Sequence, residues 1–461
     1  MNRALALLFS TTLMTGGCGA LPKEYDVLNH PDTWFTQTEN PAPPIPTEEL
    51  LKTGWWQRFE DPLLTELTAQ LLSENLDLQI AATRVEEARA VTNAQRANWL
   101  PEFSASGTVS RGNRQIGLSK PTSIAEGGFD AAWELDIFGR TSAEVSASVA
   151  REIAAMASAD DVRQMVIAEL GRSVISWRQA QETIRTTQSL LKAQDDQISL
   201  FSTRVKAGLA DASSLERARA QREQTATNLP LAEASAAAAE YQMTRLLGKE
   251  PGALAATLEG HAQSSFLVPT PENTIEIPLD VIRARPDVRV ARASMLAAQS
   301  DLAAAEANLW PRVTLGGFFG ARDISGNAIT ADNPLWALAA GVAMPVLDFG
   351  RLRSEVDAAD AASKRAALAY ENAVLLALQE THTALSDYLN GVNAVTKQQE
   401  AYDYRVEAVN LAAERFRHGL TDMTDLTTTE TERDAAAITL IERRAAAAIA
   451  YIRLQKALGK G

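Results

Sequence analysis

The sequence predicts a mainly α protein that also carries membrane β-strands, built as two copies of one unit. Three observations point there. Alanine runs at 236–239 and 445–448 favour helix over strand. Four landmarks recur in register about 210 residues apart. Between the predicted helices lie segments in which apolar and small or polar residues alternate with the period of a strand.

The repeat is read residue by residue. Ala97-Asn98-Trp99-Leu100-Pro101 is echoed by Ala307-Asn308-Leu309-Trp310-Pro311, and Phe138-Gly139-Arg140 returns as Phe349-Gly350-Arg351. Gly208-Leu209-Ala210-Asp211 returns as Gly419-Leu420-Thr421-Asp422, and Leu247-Gly248-Lys249 as Leu458-Gly459-Lys460. The offset is 210 at the first match and 211 at the others. The chain thus divides into an export signal (1–17), a linker (18–60), a first repeat (61–250), a connector (251–278) and a second repeat (279–461).

Asn2 and Arg3 precede an apolar stretch at 4–14, then Thr15-Gly16-Gly17 and Cys18, the pattern of an export signal with its small-residue cleavage site. The chain's single cysteine directly follows that triplet and resembles the lipidated residue of a bacterial lipobox, although Thr15 stands where leucine is usual. Lipid on Cys18 would be a tether, leaving insertion to the fold. Gly19, where lipoproteins held at the inner membrane usually carry Asp, favours the outer membrane of a Gram-negative bacterium. Pro41-Ala42-Pro43-Pro44-Ile45-Pro46 reads as an extended, semi-rigid spacer.

Each repeat then reads as helix, two strands, long helix, turn, helix. Asp61 followed by Pro62 predicts a helix start, and that helix is expected to continue to about Asn98, where Pro101 stops it. Long helices are predicted over 141–206 and 352–417, each about 100 Å. Small and apolar residues spaced by three and four, such as Leu352, Val356, Ala359, Ala362 and Ala366, suit a coiled-coil seam. Gly208 and Gly419 end these helices, and Asp211 and Asp422 are placed to cap the returning ones.

Phe103, Ala105, Gly107 and Val109 alternate with Ser104, Ser106, Thr108 and Ser110. Phe129, Ala131, Trp133, Leu135 and Ile137 alternate with Asp130, Ala132, Glu134 and Asp136, and Trp336 to Met344 alternates likewise. Such segments fit transmembrane β-strands, with outer loops at 111–124 and 322–333. A half-buried soluble sheet would alternate in the same way. If the strands do cross a membrane, two per repeat cannot close a barrel, so more than one copy of the chain is required.

Composition narrows the function. Of 461 residues, 46% are hydrophobic, and the formal charge of −14 lacks the basic footprint of a nucleic-acid binder. One cysteine and four dispersed histidines offer no metal-ligand spacing. No nucleophile elbow, phosphate loop or dinucleotide glycine motif is present. The expectation is a protein that is not an enzyme and needs no cofactor.

Trp55-Trp56-Gln57-Arg58-Phe59-Glu60-Asp61-Pro62, Asn75-Leu76-Asp77-Leu78, Glu134-Leu135-Asp136-Ile137-Phe138-Gly139-Arg140, Arg285-Pro286-Asp287-Val288 and both tip glycines complete a pattern covering nearly all of the mature chain. In these residues the sequence resembles the TolC-like outer membrane factors, specifically the NodT-type lipoprotein branch that serves efflux pumps. The resemblance implies a homotrimer with a twelve-stranded outer-membrane barrel and a long periplasmic α-barrel. It also implies a periplasmic adaptor protein and an inner-membrane transporter, usually of the resistance-nodulation-division type, that supplies the energy. Drugs or other small toxic compounds would pass through the lumen. An exit duct for protein secretion and a non-conducting coiled-coil scaffold are the alternatives.

Carried over position by position, Gly208, Leu209, Gly419 and Leu420 are the expected adaptor-contact tips. Asp195, Asp196, Tyr402, Asp403 and Tyr404, about three to four turns before the tip glycines, are the candidates for a periplasmic gate. Asp77 and Asp287 correspond across the repeat and are explained by their places near helix starts.

Overall fold

The computed structural model describes residues 54–112, 122–208, 211–262, 266–270, 279–324, 334–421 and 423–460. The expected signal, Cys18, the proline-rich spacer, Leu209, Asp422 and the middle of both outer loops lie outside the described residues.

A 3-10 turn (Trp55–Phe59) leads into α1 (Pro62–Glu74) and α2 (Leu76–Ala97). Next come β1 (Glu102–Gly112), β2 (Thr122–Leu135) and the long helix α3 (Arg140–Lys206), which returns through α4 (Ala212–Ala226) and α5 (Asn228–Leu246). Short helices α6 (Ala255–His261) and α7 (Leu279–Ala284) precede the second copy: α8 (Pro286–Ala307), β3 (Arg312–Ile324), β4 (Pro334–Ala343), α9 (Arg351–Arg417) and α10 (Met423–Ala457). Both long helices have 67 residues, about 100 Å of α-helix.

Two sequence expectations are corrected. The single helix expected from Pro62 to Asn98 is broken at Asn75, whose extended backbone and side chain start α2 by accepting from Leu78 N at 2.8 Å. The strand expected to run through Ile137 ends at Leu135, because Asp136 turns to accept from Thr141 N and Ser142 N at 2.9 and 2.8 Å. Asp136 thereby serves the first turn of α3, where unpaired amide donors concentrate.

The returning helices differ between the halves. α10 is continuous, whereas its counterpart divides into α4 and α5 at Thr227. Pro230, absent from the second copy, removes one amide donor and crowds the preceding turn.

The core lies where the helices of both halves converge on the N-terminal turn. Trp55, Phe59, Leu63, Leu67, Leu170 and Tyr451 are buried together, with the Phe59 and Tyr451 rings 5.5 Å apart and edge to face. Leu254, Leu258 and Phe266 of the connector join the same cluster. Each such side chain contributes about 1.5–3 kcal/mol by leaving water. Arg178, 1% exposed, crosses this core to make two hydrogen bonds of 2.9 Å to Asp61, which also caps α1 through Leu63 N. The N-terminal segment is therefore clamped to the middle of α3.

The strands form one antiparallel sheet in the order β1-β2-β3-β4, joining the halves through β2 and β3. Helix packing repeats this theme: α3 contacts α2 of its own half and α8 of the other.

Candidate functional site: channel wall and hairpin tips

The register sorts the strand residues by face. Phe103 pairs with Ala131, Phe129 with Phe319, Phe319 with Trp336 and Val313 with Val342, so one face is a continuous apolar surface. No helix layer covers it, and Val109, Trp336 and Leu338 are 83%, 73% and 82% exposed. A soluble sheet would bury that face; a bilayer solvates it. The opposite face carries Ser104, Ser106 and Thr108 beside Glu126, Asp130 and Glu134. Ser106 donates to Asp130 at 2.5 Å and Arg322 pairs with Glu126 at 2.6 Å.

Phe138 stacks on Trp310 across the halves, with centroids 5.6 Å apart and planes 10° apart, and Trp133 Nε1 donates to Trp99 O at 3.0 Å. These rings collect where strands give way to helices, the level at which aromatic side chains meet a membrane surface. Among the described residues no helix is long and apolar enough to span a bilayer. Among the described residues the outer edges of β1 and β4 pair with no other strand. Backbone groups left open in hydrocarbon are costly, so edges placed in a bilayer need pairing partners.

At the far end of the helices, Gly208 and Gly419 take φ values of +69° and +70°, which side chains other than glycine rarely adopt. Leu420 N bonds back to Arg415 O at 2.8 Å and Gly419 N to Phe416 O at 3.0 Å, closing the last turn of α9. Leu420 itself is largely exposed. Asp211 accepts from Ser213 N at 3.2 Å at the start of α4, and the bonds from Ser213 hold its carboxyl below the usual range.

Just behind the tips, Phe201 of α3 is fully buried against Leu215, Ala218 and Met423 and meets Phe416 edge to face. Above it lies a polar layer that the sequence reading missed. Gln194 donates to Thr225 Oγ1 at 3.1 Å and to Asp434 Oδ2 at 3.0 Å, and Gln197 donates to Glu430 at 2.5 Å. The bonds to Asp434 and Glu430 tie the first hairpin to the second. Burial pushes the Glu430 carboxyl up, opposed by the Gln197 hydrogen bond. Glutamines within the repeating pattern of α3 were the available signal, but their partners lie on a helix more than two hundred residues away.

The gate candidates are placed as follows. Asp195 is exposed and pairs with Arg222 of α4 at 3.0 Å; Asp196 is exposed beside it. Asp403 accepts from Gln399 at 2.9 Å along α9, Tyr402 is half-buried and Tyr404 is 77% exposed. Among the described residues, no hydrogen bond or ion pair joins Asp195 or Asp196 to Tyr402, Asp403 or Tyr404 within one chain. Asp77 sits in the first turn of α2, and Asp287 pairs with Arg285 at 2.7 Å. Among the described residues no cluster of acidic, cysteine or histidine side chains could hold a metal ion.

The model of the family described as outer membrane efflux protein matches the chain twice, at 67–249 and 278–460. The chain belongs to that family. The two matches are offset by one repeat, so each half carries the family pattern. Nodulation protein T of Rhizobium leguminosarum bv. trifolii is 27% identical over 81% of the chain and 80% of its own length. The probable efflux pump outer membrane protein TtgC of Pseudomonas putida is 25% identical, over 100% of the chain and 96% of its own. The outer-membrane channel OprN superposes with a TM-score of 0.81 at 29% identity, covering 93% of this chain and 98% of that one. The CusC structure, at 22% identity and the same TM-score, covers 93% and 100% and shares the fold. This protein is an outer-membrane exit channel for efflux, with a large periplasmic portion.

Proposed function

We propose that three copies of the chain each contribute four strands to one closed barrel, and that their helical hairpins continue it as a periplasmic tube. The channel is passive. It docks through the hairpin tips to a periplasmic adaptor and receives cargo from an inner-membrane transporter of the resistance-nodulation-division type. The cargo is drugs or other small toxic compounds, in keeping with relatives named for antibiotic and toluene efflux. The observation that carries this reading is the sheet: one face apolar and exposed, the other polar, both edges unpaired among the described residues. Cys18 carries the lipid that anchors the N-terminus, in keeping with the similarity to SilC, a probable outer membrane lipoprotein of Salmonella typhimurium.

Gly208, Leu209, Gly419 and Leu420 form the adaptor-facing tips. Asp195, Asp196, Tyr402, Asp403 and Tyr404 narrow the resting entrance, and opening separates the hairpins at the Gln194–Asp434 and Gln197–Glu430 bonds. Native mass in mild detergent tests the assembly, and planar-bilayer conductance tests the conduit. Three chains that conduct, with drug accumulation rising in a deletion strain and protein secretion unchanged, support the reading. A monomer without conductance refutes it; lost secretion with normal drug resistance turns it into a secretion duct.

A further inference from the structure

The polar face of the sheet carries a single aromatic ring among its described residues, Phe318 of β3. Its position is unusual. Gly128 of β2 and Gly320 of β3 are register partners, and a Cβ placed on either would lie 2.7 Å from Phe318 Cζ. The ring tip therefore rests on the bare backbone of both glycines and lies along the wall rather than across the bore. The ring tip is covered by the glycine pair, while the residue as a whole remains half-exposed on the polar face.

Its neighbours are charged. The register partner of Phe318 is Asp130, whose carboxylate accepts from Ser106 Oγ at 2.5 Å and pairs with no described cation. Glu126, four residues along β2, is neutralised by Arg322, and Glu134 by Arg140 at 2.9 Å. Asp130 and, at the strand end, Glu102 are thus the described carboxylates of this face without an ion-pair partner, and Asp130 stands beside the ring at a spacing of about 5 Å between Cβ positions. The rest of that face is mostly serine, threonine, alanine and glycine. A flat ring presenting its negative face beside an unpaired carboxylate attracts cations with an organic surface.

We propose that Phe318 and Asp130 together form a weak binding step in the channel wall for planar organic cations. The inference rests on the conduit reading above. Weak binding of this kind concentrates such a permeant in the bore without trapping it.

The test uses the full-length protein in planar bilayers, with ethidium as a planar aromatic cation and tetraethylammonium as a cation without rings, added on the barrel side. Ethidium is expected to block, and Phe318→Leu, which keeps an apolar cover over the glycines but has no ring, is expected to raise the half-blocking concentration about five- to thirty-fold. Phe318→Tyr should retain the block, Asp130→Asn should weaken it, and tetraethylammonium block should not respond to position 318. Ethidium block unchanged in Phe318→Leu channels of normal conductance would overturn the proposal and leave the ring as a packing cover only. If that variant does not insert, unchanged block in Asp130→Asn overturns it equally. Absence of any wild-type conductance is a different result, which removes the conduit itself.

Discussion

Asn75 and Arg285 hold equivalent places in the two halves and perform one task with different chemistry. Asn75 Nδ2 donates to Leu246 O at 2.6 Å, and Arg285 Nη1 donates to Ala457 O at 2.9 Å. Both acceptors are last-turn carbonyls of a returning helix, which have no partner inside their own helix. Each donor also marks the break between a short helix and the one leading to the strands. Arg285 reaches further, to Asp287 at 2.7 Å and Glu380 at 2.6 Å.

Replacing Asn75 with Ala removes a cap and a buried bond and is expected to cost about 1–2 kcal/mol. Arg285→Ala should cost more, about 2–3 kcal/mol, because two half-exposed carboxylates lose their partner. Thermal unfolding of the detergent-solubilised protein measures both. Equal losses would show that the acid partners of Arg285 contribute nothing.

The Arg178–Asp61 pair is sharper, because both side chains are at most 2% exposed. Arg178→Met or Asp61→Asn leaves a buried group without its partner and should cost about 3–5 kcal/mol. Replacing both together should cost clearly less than the sum of the two. Additive losses in that double-mutant cycle would remove the pair as the clamp on the N-terminal segment.

Glu430 gives the hairpin contact a pH dependence. Burial raises its folded pKa above the ordinary carboxylate value, against the pull of Gln197 and Arg433. An acid with a raised folded pKa contributes fully below the unfolded value; the contribution declines as pH rises to the folded value and then levels off. Wild-type melting between about pH 4 and pH 8 should show this decline over the background of other groups. Glu430→Gln should abolish that component and lower the resting conductance at neutral pH. Identical pH profiles for the two proteins would contradict it.

The two classes of tip contact should differ in strength. Asp195→Ala breaks an exposed pair worth under about 1 kcal/mol, so resting conductance should rise less than about five-fold. Asp434→Ala removes the buried bond between the hairpins, leaving Gln194 only Thr225 Oγ1 as acceptor, and should raise it more. Asp403→Ala acts only if that carboxylate lines the closed entrance. If Asp195→Ala opens the channel more than Asp434→Ala, the order of these contacts is reversed.

Gly419→Asp places a side chain at a positive φ and a charge at the tip. Stability should fall by only about 1 kcal/mol, with trimers intact, while efflux in cells is lost. Intact efflux in cells making this variant would move the adaptor contact away from the tip.

What the sequence determined by itself was whatever local periodicity encodes. The repeat, the long helices, the alternating strands and the tip glycines all follow from residue spacing along one stretch of chain; the comparisons with known channels agree with the fold read from them and with the function that the resemblance to outer membrane factors implies. The interruption at Asn75 escaped notice, because an asparagine inside an apolar pattern reads as a tolerated polar residue until its distant acceptor, Leu246 O, is in place. Only the tertiary structure decided which polar side chains meet. Arg178 finds Asp61, and Gln194 finds Asp434, across more than a hundred intervening residues. Those pairings depend on how helices of about 100 Å rotate against one another, and spacing within one helix carries no information about its rotation relative to another. The same holds for the ring of Phe318. Its alternation assigns it to a face, but only the pairing of Gly128 with Gly320 opens the bare backbone on which it lies.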